Sequence, residues 1–243
     1  MGDVMINTEK FGNYDYDSSK WVWDNVYNPM CREIWGEHLG EEFELENVTP
    51  KIFVAKHGDI QIRGDVIFNF EGYNGKPYIN PKNKIITEEE LKKYNAMRYS
   101  ALNFSLIPRY GKLQNVKQGG RRGDRLDVYL YYLSEFYSHE DERILNYAKE
   151  QEDKDNLKNY LNSIGSIKEY FKKFYFMEDN DILEKLVECG GRFGNEDSEK
   201  NRTTYLELVK EFWSIRKAGL AKKGLKIELL DDGYKGMEVL QER

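Results

Sequence analysis

Up to residue 108 the apolar residues of this 243-residue chain come in short runs broken by glycine, and after residue 123 they come at helical spacing. That change of period constrains the fold more than any other feature of the chain. FELE at 43–46, KIFVA at 51–55, DIQIRGDVIFNF at 59–70, PYIN at 77–80 and ALNFSLI at 101–107 read as strands, punctuated by Gly58, Gly64, Gly72 and Gly75. Beyond the loop 108–123, Leu126, Leu130, Leu133 and Tyr137 place a helix over 124–138. Further helices are predicted over 140–150, 154–162, 166–176, 180–188 and 199–218, with KIELL at 226–230 as a last strand. Strands first and helices second predict an α+β protein rather than alternating βαβ units. The expectation is a mixed or mainly antiparallel sheet from the N-terminal half, packed against helices from the C-terminal half.

Two helices interrupt the strand-rich half. Asn28 before Pro29 is a cap followed by the residue best suited to a first helical position. Met30, Ile34 and His38, with Trp35 and Leu39 alongside, then form a stripe that Gly40 ends. Thr87 and Glu90 form a capping box for a helix over 88–98, with Ile86 placed to staple onto Leu91. The layout predicted is a flexible segment 1–18, a single α+β domain 19–220 and a C-terminal extension 221–243. The charged run EQEDKDN at 150–156 reads as an exposed loop tip.

A net charge of −6 argues against adhesion of the whole molecule to nucleic acid, and leaves room for a local basic groove. No apolar run approaches a membrane span, and the first 20 residues lack the apolar core of a secretory signal. A cytoplasmic location with no membrane partner is expected. The two cysteines, Cys31 and Cys189, have no metal-ligand spacing and read as free thiols.

The chemistry-bearing stretch is the loop into helix 124–138. Residues 109–125 hold six basic side chains (Arg109, Lys112, Lys117, Arg121, Arg122 and Arg125) and one acid, Asp124. Glycines at 111, 119, 120 and 123 permit close backbone approach, and Gln114 and Asn115 add neutral donors. Guanidinium groups match phosphate oxygens in pairs, and a helix start offers free N–H groups and partial positive charge. The plain alternative is a solvated basic loop balanced by Asp124, Asp127 and Glu135. Asp124 is a natural N-cap. Asp127 is either a base or a first-turn carboxylate that pins Arg125 or Arg122. Tyr131 and Tyr132 are either core or pocket residues that stack on a ring. His57 with Asp59 carries no partner motif, and Arg32 to His38, which fits the loose Arg-x5-His spacing of helical ribonuclease toxins, reads as a coincidence in a single helix before a strand-rich block. No phosphate-binding P-loop, dinucleotide fingerprint, nucleophile elbow or zinc ligand set appears, so neither a metal nor a cofactor is indicated.

The order of features resembles the bacterial DUF6994 family of unknown function. Trp23-Asp24, Asn28-Pro29 through Ile34-Trp35, Phe104 to Pro108, and Leu113-Gln114-Asn115 stand where that family has its aromatic-Asp segment, its Pro-bearing helix, its apolar strand and its Thr-Ile-Asn stretch. Asp124-Arg125-Leu126-Asp127-Val128 is similar to the family's helix start, with Tyr137 at the helix end. Tyr170-Phe171 with Phe174, and Trp213 with Ile215 and Arg216, are similar to later segments. Arg109-Tyr110-Gly111, Lys117-Gln118 and residues 71–86 depart from the pattern. The resemblance supplies no activity, but implies that Asn115, Arg125, Asp127 and Arg216 cluster.

Two readings follow. In the first, Asn115, Lys117, Arg122 and Arg125 bind a phosphate-bearing small molecule, such as a nucleotide, or a nucleic-acid end. Arg216 reaches in from the C-terminal helix, and Asp127 serves as base if there is a reaction. In the second, the chain is a non-enzymatic protein-interaction module of the kind encoded in phage–host conflict loci. Arg125 and Asp127 are then an internal salt bridge that knits helix to sheet. Burial discriminates the two.

Overall fold

The computed structural model describes residues 4–7, 27–39, 43–49, 52–57, 60–68, 97, 100–108, 124–192 and 199–228. The strand expected at 77–80 and most of the helix expected at 88–98 lie outside them.

The protein is α+β. Strands β2 (Phe43–Thr49), β3 (Ile52–His57), β4 (Ile60–Val66) and β5 (Phe104–Pro108) form an antiparallel sheet in the order β2-β3-β4-β5. His57 lies opposite both Phe43 and Ile60, and Gly64 lies opposite Leu106. The run expected as one strand over 101–107 begins instead as a 3₁₀ turn, Ala101–Asn103. Asn103 is the reason that turn holds. Its amide donates to the Phe68 carbonyl at 2.8 Å and accepts from the Trp213 indole at 3.3 Å. A buried amide is thereby satisfied from both sides. Every residue of β5 is buried, so this strand carries the helical layer.

The first helical segment, α1 (28–39), contains a π-helical turn at Arg32–Gly36. It buries Met30, Ile34, Trp35 and Leu39 of its predicted stripe, and Cys31 besides, while His38 is half-buried; the Trp35 ring meets Phe104 at 6.3 Å. The C-terminal half supplies α2 (Leu126–His139), a 3₁₀ turn at Glu142–Tyr147, α3 (Gln151–Ile164), α4 (Ile167–Tyr175), α5 (Asn180–Gly191) and α6 (Glu199–Lys222). Ser166 caps α4 by accepting from Glu169 N, and Asp179 caps α5 by accepting from Ile182 N. The charged run 150–156 is not a loop tip but the start of α3. Glu152 and Asp153 favour the positive end of its dipole, while Leu157, Tyr160 and Leu161 supply the buried stripe.

Strand β1 (Val4–Asn7) pairs in parallel with β6 (Leu225–Glu228), Val4 opposite Leu225. The segment expected to be loose at the N-terminus and the C-terminal extension thus meet in a two-stranded sheet. No helix among the described residues is long and apolar enough to cross a membrane.

Two glycines permit the tightest helix contacts. Gly190 on α5 lies against the Asp127 backbone carbonyl, and Gly219 on α6 against the Phe176 carbonyl; a methyl group at either would overlap that oxygen. Overpacking of this kind costs about 1–3 kcal/mol. Gly190→Ala is therefore expected to lose at least that much in urea unfolding. Gly36→Ala, with open space around its Cα, is the control and is expected to stay within about 0.5 kcal/mol of the parent.

Candidate functional site

Arg125 is the residue at which sheet becomes helix. Its backbone makes an antiparallel bridge to Phe68, just past β4, and its extended conformation places it as the N-cap of α2. The expected cap, Asp124, is one residue too early and is buried. The Arg125 side chain turns back onto the first helical turn. Nε donates to Asp127 Oδ1 at 2.8 Å and Nη2 to Oδ2 at 2.5 Å, a bidentate fork. Arg125 is 2% exposed and Asp127 0%.

The pair is enclosed by the helical layer. The Tyr205 ring lies 4.1 Å below the Arg125 guanidinium, and the Tyr205 hydroxyl accepts from Leu126 N at 2.9 Å. Cys189 Sγ stands 4.0 Å from Arg125 Nη2. Burial raises the Cys189 thiol to about 12, the Asp127 charge adds to this, and Arg125 opposes it. Burial, then Asp127, likewise raises the Tyr205 phenol well above its usual range. A thiol and a phenol held neutral at pH 7 are poor nucleophiles. Asp127, proposed from the sequence as a base, has both oxygens engaged by Arg125, and it lines neither of the two grooves beside α4.

Of the predicted cluster around Arg125 and Asp127, only Arg216 lies among the described residues. Asn115, Lys117 and Arg122 lie outside the described residues. Arg216 is on α6, three turns beyond Tyr205 and so roughly 16 Å further along the axis. It does not reach in toward Arg125. It is instead fully buried beside the 3₁₀ turn that precedes β5, where Nη1 donates to the Leu102 carbonyl at 3.0 Å. The Trp35, Tyr175 and Phe212 rings surround its guanidinium at 5.8, 5.8 and 6.0 Å. Its Nε and Nη2 have no hydrogen-bond partner among the described residues. Burial without a carboxylate lowers Arg216 to about 9, so it remains charged at neutral pH.

An open groove lies between α4 and α6. Phe176, Met177, Ile215, Ala218 and Gly219 line it, Lys172, Lys222, Lys223, Glu178 and Asp179 rim it, and its volume is about 470 Å³. Phe176 ends α4 in a left-handed conformation at φ 60°, unusual for a bulky side chain. Its ring meets Trp35 at 6.0 Å and His38 at 4.6 Å. Burial lowers the His38 pKa, and the charges of Lys223, Lys173 and Lys172 lower it further, against the Lys173 carbonyl. The groove combines residues from α4, α6 and the α4–α5 turn. Single elements show only lysines in a last turn, so the groove is not legible in the sequence.

The other sequence candidates are structural. His57 Nδ1 meets the Tyr160 hydroxyl at 2.8 Å inside the core. Tyr131 packs beside Gly191, and Tyr132 lies 5.4 Å from the Arg143 guanidinium and 6.2 Å from the Tyr147 ring. Among the described residues no group of three or more His, Cys, Asp or Glu is placed to hold a metal ion. Cys31 and Cys189 are free and buried. No protein-family model, no curated protein and no solved structure matches the chain.

The His38 shift has a testable sign. With its pKa lowered in the folded state, the unfolded chain takes up the proton first as pH falls below about 6.5. The folded protein therefore loses stability as pH falls through that value toward the lower folded pKa. His38→Gln is expected to flatten this part of the stability–pH curve between pH 7 and about 5, as measured by urea unfolding.

Proposed function

We propose that this chain is a non-enzymatic interaction module, and that the Arg125–Asp127 pair is part of its architecture. One observation carries the reading: the two groups best suited to chemistry satisfy each other in a bidentate pair with almost no exposure. A base or a phosphate clamp must present a free edge to its ligand. Among the described residues, the groove between α4 and α6 is a surface open to a partner. Its apolar floor fits a partner segment that offers an apolar side chain, and Lys222 and Lys223 on the α6 side of the rim favour an acid beside it, since Lys172 already pairs with Glu178. The free thiols support a reducing compartment, the cytoplasm, as its location. Bacterial origin and kinship with DUF6994 rest on the resembling residues alone.

The rival reading keeps a phosphate or nucleotide pocket at the start of α2, on the strength of the basic density of 109–125. A thermal-shift series on the full chain separates the two. Nucleotides, cyclic nucleotides and short RNA are expected to leave the melting temperature of the parent unchanged. Arg125→Ala is expected to cost about 3–5 kcal/mol, because Asp127 is left buried and unpaired. The double variant Arg125→Met/Asp127→Leu is expected to cost less than either single change, since it removes both charges together. A nucleotide-induced rise that disappears in a folded Arg125→Ala protein would restore the pocket reading.

A further inference from the structure

The two buried arginines of the helical layer use opposite parts of the same group. Arg125 presents the edge formed by Nε and Nη2 to Asp127, one oxygen to each nitrogen. In Arg216 that edge is the one without a partner, while Nη1 is held by the Leu102 carbonyl. The backbone bond fixes the guanidinium plane, and the rings of Trp35, Tyr175 and Phe212 keep the group away from water. The Tyr175 hydroxyl is likewise buried beside Ser105, and no acceptor for its proton stands among the described residues. Three buried polar atoms in one neighbourhood, all able to donate, therefore lack an acceptor. Buried donors are nearly always matched, and a buried cation needs a counter-charge more than any neutral group does.

We propose that Arg216 and Tyr175 form an internal anion site that takes a small oxyanion, a carboxylate or a phosphate group. Two oxygens meet Nε and Nη2, as the Asp127 oxygens meet Arg125, and Tyr175 donates where its hydroxyl comes within reach. The planar fork selects a ligand with paired oxygens over a spherical ion. The site is separate from the Arg125–Asp127 pair and does not depend on the interaction-module reading. A module with no nucleotide response can still hold this anion.

The test uses the full chain with sodium formate and inorganic phosphate as probes, and sodium chloride at matched ionic strength as control. Formate or phosphate is expected to raise the apparent melting temperature saturably, by roughly 5–10 °C at about 100 times the dissociation constant. Arg216→Met removes the fork and the charge but keeps an apolar stem, and is expected to lose the saturable response. Arg216→Lys keeps the charge without the fork and is expected to lose most of it. Tyr175→Phe is expected to weaken the response, up to roughly tenfold. Phosphate also stabilises proteins by exclusion from their surfaces, and that part is expected to survive in Arg216→Met. If a variant does not fold, the parent protein still decides the matter. Its Arg216 Nε–H resonance in a ¹H–¹⁵N spectrum is expected to move saturably with formate and not with chloride. A resonance that does not move, or equal stabilisation of the parent and a folded Arg216→Met protein, would overturn the proposal.

Discussion

A charged pair at the junction of two kinds of backbone holds this fold together. The Arg125 backbone still bridges to Phe68, while its side chain grips the first turn of α2 through Asp127. The pair fixes the angle at which α2 leaves the sheet. Tyr205 then ties α6 to the same place through a ring face and a hydroxyl, and Gly190 lets α5 come down onto the Asp127 carbonyl. Three helices and the sheet thus meet within two residues of one arginine. An apolar pair of the same volume would pack there at a lower desolvation cost. It would not fix the direction of the helix start, because apolar contact is non-directional and a bidentate fork is not.

Arg216 has no such companion. It sits one layer over, between α1, α4, α6 and the turn before β5, with one hydrogen bond in place of two and aromatic rings in place of a carboxylate. The ring faces recover part of the lost hydration, because a cation is attracted to their negative quadrupole. They do not replace an acceptor for the N–H groups at the open edge. The contrast between two equally buried arginines, one satisfied and one not, gives Arg216 its interest. A surface arginine with the same open edge would be hydrated and would mean nothing.

Much of this was legible in the sequence. The segregation of strand and helix periods fixed the α+β class, and the stripes of α1 and α2 buried nearly the residues they named. Asp127 beside Arg125 was legible as a pair, but its burial was not, since the enclosing residues Tyr205, Cys189 and Gly190 lie far along the chain. Arg216 was singled out with the wrong neighbours. Its place three helical turns past Tyr205 depends on how α6 crosses the sheet, which no local pattern encodes. The run 150–156 was misread because charge density signals exposure, and exposure is shared by loops and by the outer face of a helix. The groove was missed for a related reason: its lysines read as ordinary last-turn cations until α4 and α6 are brought side by side.

The groove and the Arg216 cage share a wall. Trp35 touches both Arg216 and Phe176, a residue of the groove lining, and its indole donates to the Phe174 carbonyl at 3.2 Å. Phe176 is held in its left-handed conformation by three restraints: its N–H donates to Lys172, its ring lies against Trp35 and His38, and Gly219 presses on its carbonyl. A strained residue supported from several sides has a defined position, and that gives the groove a defined wall. Any change that moves Phe176 alters the groove at its surface and the ring that shields Arg216 at its back. Packing therefore couples the two places, with no hydrogen-bond relay between them required.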